Sequence, residues 1–142
     1  MTTQMASDLF RRLFSTVIRP WVADTTQFDM VARCPFTLKL VDVTKSVYAD
    51  DIFNNIRITD LTRQQVIEAL DKCDCLLDAL TAEHGMQQNR KKQEVTMQVV
   101  GPQSHESVKW FRKHIATSRT VLPEMLYLGA WINPRGTNRR EV

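Results

Sequence analysis

The segment from Thr62 to Gly85 constrains the fold more than any other part of the chain. Thr62 stands before a run of helical periodicity, Gln65 follows three residues later as its capping-box partner, and Gly85 supplies a C-terminal stop. Val66, Ile67, Leu70, Cys73, Leu77 and Leu80 share one face. That predicts an amphipathic helix whose apolar side needs a cover, because most helical stability in proteins comes from packing. The 142 residues, 43% of them hydrophobic, can supply one. A chain of this size buries roughly 70% of its unfolded surface as one domain. Four glycines and five prolines are too few for the many tight turns of a β-sandwich or jelly roll.

A second amphipathic helix is predicted at the N-terminus. Ser7 is its candidate cap, Asp8 falls in the first turn, and Pro20 is expected to stop it after Arg19. Leu9, Phe10, Leu13, Phe14, Val17 and Ile18 fill one half of its circumference, and Arg11, Arg12, Ser15, Thr16 and Arg19 fill the other. A basic amphipathic helix of this kind has three readings. It docks on the protein's own core or a partner subunit, it lies in a membrane interface, or it is a mitochondrial presequence. With the chain beginning at Met1, retention rather than cleavage is the expectation.

Residues 21–35 read as a connection. Phe36, Leu38 and Leu40 alternate with Thr37, Lys39 and Val41, the period-2 pattern of a half-buried strand. A short helix or turn is expected from Ser46, leading into a strand near 54–59. Val95, Met97 and Val99 predict a third strand ended by Gly101-Pro102, and Ser104 is expected to cap a helix reaching Ala116. Met125–Ile132 fits either a strand or a helix. The expected fold class is α+β, a small, mostly antiparallel sheet of three to four strands packed by two or three helices. The expected organisation is an amphipathic arm over 1–22, a single domain over 23–132 and a basic tail over 133–142.

Charge is separated along the chain. Residues 1–34 carry four basic and three acidic side chains, residues 35–85 five and nine, and residues 86–142 ten and four. On the long helix Asp71, Asp74 and Asp78 share one strip, where like charges repel and a basic counterpart on another copy would help. The basic half holds Arg90, Lys91 and Lys92, then Lys109, Arg112 and Lys113 on one predicted helix, then the tail arginines Arg135, Arg139 and Arg140. On that helix Val108, Phe111 and Ile115 mark the core side and Trp110 projects away from it, near the surface. An indole beside cations suits base stacking, a lipid interface or a subunit contact.

Enzymatic chemistry lacks a signature. Cys73 and Cys75 lie about 200° apart around a helix and cannot chelate one ion together. His84, His105 and His114 have no ligand spacing with Cys or Glu, and Asp50-Asp51 is a pair common in turns. No Walker loop, GxSxG elbow, HExxH or Rossmann glycine pattern occurs. No metal or cofactor is expected. The three cysteines, Cys34, Cys73 and Cys75, form no disulfide framework, so an intracellular, reducing compartment is expected rather than secretion.

The expected function is non-enzymatic, a matrix-like assembly or scaffold role. Leu9, Phe10, Leu13, Phe14, Val17 and Ile18, with Arg11 and Arg12, would meet a membrane or partner. Arg90, Lys91, Lys92, Lys109, Trp110, Arg112 and Lys113 would hold phosphate groups of lipid or RNA. Asp71, Asp74 and Asp78 would meet a neighbouring copy in a homo-oligomer. The alternative is an RNA- or single-stranded-DNA-binding module built on the basic half.

Overall fold

The computed structural model describes residues 3–48, 51–115, 119–127 and 130–134. The fold is α+β, with three α-helices and eight short strands among the described residues. The strands form four two-stranded ladders, three antiparallel and one parallel, instead of one sheet of three to four strands. Each strand has only two to four residues, which leaves little edge on which to recruit a third. The chain divides into two compact units, Met1–Gln87 and Gln88–Val142. The boundary falls in the polar loop that follows Gly85, and it nearly coincides with the charge boundary. The first unit carries nine basic and twelve acidic residues, the second ten and four.

In the first unit, helix α1 spans Thr3–Asp24 and helix α2 spans Arg63–Ala82. Helix α2 begins as its sequence predicts. The Thr62 side chain accepts from the Gln65 amide at 3.3 Å, and Gln65 Oε1 accepts from the Thr62 amide at 2.9 Å. Helix α1 corrects the sequence expectation, because it continues through Pro20 to Asp24 and starts before Ser7. Asp8 and Arg19 therefore lie outside its terminal turns. An interior proline costs about 3 kcal/mol. The offset is Trp21, which stands beyond the proline, is 1% exposed and packs with Val17 and Leu77 at the core. Ile18, Val22, Ile52, Leu76, Leu80 and Met86 complete that cluster.

Polar contacts fix the same joint. The Trp21 indole N–H donates to the Cys73 carbonyl at 3.0 Å, and the Lys45 ammonium lies 5.4 Å from the Trp21 ring centroid. Lys45 also pairs with Asp29 at 3.4 Å. His84, just past α2, places Nδ1 3.0 Å from the Leu80 carbonyl and Nε2 3.1 Å from the Thr16 hydroxyl on α1. The helix that the sequence presents as an arm is thus packed along its C-terminal half.

Strand β1 (Val31–Arg33) pairs with β2 (Leu40–Asp42), and β3 (Lys45–Tyr48) pairs with β4 (Asp51–Asn54). Both hairpins correct the sequence. The alternation over 36–41 belongs mostly to a turn, with only Leu40 and Val41 in a strand; the described residues of 46–59 include no helix, and the strand expected near 54–59 instead ends at Asn54. Buried Thr44 joins the two hairpins, its hydroxyl bonding to both the amide and the carbonyl of Met30. The Thr44 hydroxyl and amide together hold the Asp42 carboxyl below the usual carboxylate range, the amide donating at 2.8 Å.

In the second unit, β5 (Glu94–Val95) and β6 (Thr120–Val121) pair in parallel, with α3 (Ser104–Ile115) in the crossover that parallel pairing requires. Of the strand expected over 95–99 only Val95 is in a strand, as the second residue of β5. Phe111 and Ile115 are buried, as the predicted core stripe requires. Met125–Ile132 resolves as a hairpin of β7 (Met125–Tyr127) and β8 (Ala130–Ile132). Residues 135–142, with the tail arginines, and Asp50 and Ala116 lie outside the described residues.

Candidate functional site

The apolar face of α1 is divided along its length. Val17 is fully buried and Leu13, Phe14 and Ile18 are half-buried, whereas Met5, Leu9 and Phe10 are 63%, 60% and 37% exposed. Phe10 stacks on Phe14 with ring centroids 5.3 Å apart. Arg11 and Arg12 are both exposed. Val17 therefore serves the core, not a surface. The N-terminal turns present three apolar side chains beside two arginines, a composition suited to a phospholipid interface.

A second apolar surface went unread in the sequence. The turn joining β1 to β2 carries Phe36, 93% exposed, and Leu38, 63% exposed. Leu38 has φ of +57°, a left-handed conformation that costs a non-glycine residue roughly 1–2 kcal/mol. Arg33 Nη1 donates to the Leu38 carbonyl at 2.8 Å, the Leu38 amide to the Cys34 carbonyl at 2.9 Å, and the Cys34 amide to the Lys39 carbonyl at 2.9 Å. The Thr37 hydroxyl, helped by the Thr37 and Phe36 amides, holds the Cys34 thiol below its ordinary pKa. The available signal was Pro35, a turn residue at the head of the alternating run.

The acidic strip lies on α2 with Asp71 exposed and Asp74 and Asp78 half-buried, and all three already take part in interactions within the fold. In the second unit Arg90, Lys91, Lys92, Lys109, Arg112 and Lys113 are all exposed. Trp110, expected near the surface, is half-buried. It stacks on His114 at 3.9 Å and meets Phe111 edge-on at 5.4 Å, so one indole face is taken. The structure places Arg90–Lys92 in a 3-10 turn and the other three cations on α3.

Cys73 is buried on α2, Cys75 exposed and Cys34 half-buried, and none is disulfide-bonded. Among the described residues no group of three or more His, Cys, Asp or Glu side chains is arranged to hold a metal ion. No described helix is long and apolar enough to cross a membrane. Comparison with protein-family models, curated proteins and solved structures returns no match.

Proposed function

We propose that this protein is a non-enzymatic, self-associating scaffold that attaches peripherally to anionic membranes through the N-terminal half of α1. One observation carries the proposal: α1 anchors its second half in the core while leaving Met5, Leu9 and Phe10 exposed beside Arg11 and Arg12. Full burial of such apolar side chains is worth about 1.5–3 kcal/mol each, so the exposed fractions offer roughly 2.5–5 kcal/mol together. Two arginines near anionic lipid add about 1 kcal/mol each. The total corresponds to a partition constant on the order of 10³–10⁵ M⁻¹, comparable to a single myristoyl chain and reversible.

Self-association is supported by the charge division between the units, net −3 in one and +6 in the other, which favours head-to-tail contact between copies. The three cysteines, none of them in a disulfide, support residence in a reducing compartment. The exposed cations of the second unit favour a second reading, an RNA-binding module, in which they contact phosphates. Sedimentation with phosphatidylserine-containing vesicles tests the membrane proposal. The wild type is expected to sediment and L9E/F10E to stay in solution, and failure of the wild type to sediment refutes it.

A further inference from the structure

One apolar helix end with two arginines gives attachment only as strong as a single lipid chain, and stable attachment takes a second signal. We propose that the β1–β2 turn is that signal, seating Phe36 and Leu38 at the acyl boundary of an acidic phospholipid surface with Arg33 and Lys39 among the headgroups. The inference builds on the membrane role of α1 but rests on different residues.

Four features of the turn point the same way. Phe36 and Leu38 are the large apolar side chains that the turn exposes, 93% and 63%. Leu38 occupies a left-handed position where glycine or asparagine would sit without strain, so an apolar side chain stands at the turn against the backbone preference. The amides of the turn are engaged within it. The Leu38 and Cys34 amides bond to the Cys34 and Lys39 carbonyls, the Lys39 amide reaches the Thr37 hydroxyl at 3.4 Å, and the Phe36 and Thr37 amides face the Cys34 sulfur. Pro35 has no N–H to satisfy. A loop entering the acyl boundary needs this, because lipid offers no partner to an open amide.

Charge is the fourth feature and selects the occupant. Residues 30–41 contain Arg33 and Lys39 and no acidic side chain. The nearest carboxylates in sequence are engaged, Asp29 with Lys45 and Asp42 with Thr44. Apolar side chains at the end of a turn, with cations behind them, complement an anionic bilayer, in which acyl chains lie behind phosphate.

The test uses the full chain with phosphatidylserine–phosphatidylcholine vesicles whose acyl chains are brominated. F36W is expected to show quenching beyond the wild-type level, and F36S/L38S to lose about tenfold or more in vesicle partition, with unchanged circular dichroism. Wild-type levels of quenching in F36W while the protein still sediments overturn the proposal and leave α1 as the contact. Partition lost in F36S/L38S but kept in L9E/F10E supports the turn and removes α1. Partition of F36S/L38S equal to wild type, with a reduced mass in solution, overturns the proposal by assigning the turn to a contact between copies. Equal wild-type partition onto pure phosphatidylcholine overturns the acidic-lipid assignment.

Discussion

Replacing Trp21 and Leu9 by alanine separates the two halves of α1 energetically. Trp21 is 1% exposed, donates its indole N–H to the Cys73 carbonyl at 3.0 Å, and lies under the Lys45 ammonium. Truncating a core aromatic costs about 3–5 kcal/mol. The Lys45 side chain is only 7% exposed, so its attraction to the ring is little screened and places W21A at the upper end, about 4–5 kcal/mol. Leu9 is 60% exposed, and L9A is expected to stay within about 0.5 kcal/mol of wild type. In urea unfolding followed by far-ultraviolet circular dichroism, an m-value of about 2 kcal/mol/M turns these into a midpoint drop of about 2 M for W21A and almost none for L9A. A W21A shift below about 0.5 M would mean that α1 is not packed on α2. Equal shifts in the two variants would mean that the helix is core throughout and has no exposed half.

Two further outcomes follow from the remaining surfaces. The alkylation rate of Cys34, read on its peptide by mass spectrometry, is expected to rise with pH around a midpoint below the ordinary thiol value of 9.0, and T37V is expected to move that midpoint up. The contribution of this depressed group to stability is full above the ordinary value and fades as pH falls through the lowered one. A Cys34 midpoint at or above the ordinary value contradicts the turn geometry. Light scattering over a salt series, with and without RNA, is expected to show a concentration-dependent mass that falls as salt rises and gains nothing from RNA. A strict monomer that takes up RNA with a steep salt dependence establishes the rival nucleic-acid role.

Helix α2 was legible because its cap, its periodicity and its stop are all local and agree. Helix α1 was legible as a face and misread in length, because the proline rule is local whereas the burial of Trp21 that overrides it comes from packing against Leu77 and the Cys73 carbonyl. The same limit hid the division of its apolar face. Leu9 and Val17 have equal claims on the periodicity, and only the position of α2 assigns one to solvent and the other to the core. The run over Phe36–Val41 failed for another reason. Alternation records which side chains would share a face if the backbone were extended, and the left-handed Leu38 shows that the backbone turns there instead. The spacing of the acidic strip is visible in the sequence, but its interactions within the fold depend on neighbours that spacing does not reveal.

The most direct measurement is vesicle partition of the wild type and L9E/F10E against phosphatidylserine content at two salt concentrations. Partition of the wild type is expected to rise with phosphatidylserine, to weaken at the higher salt because Arg11 and Arg12 act across exposed surface, and to collapse in L9E/F10E with folding intact. Absence of wild-type binding at any composition, or equal binding by the two proteins, contradicts a membrane contact at the N-terminal half of α1.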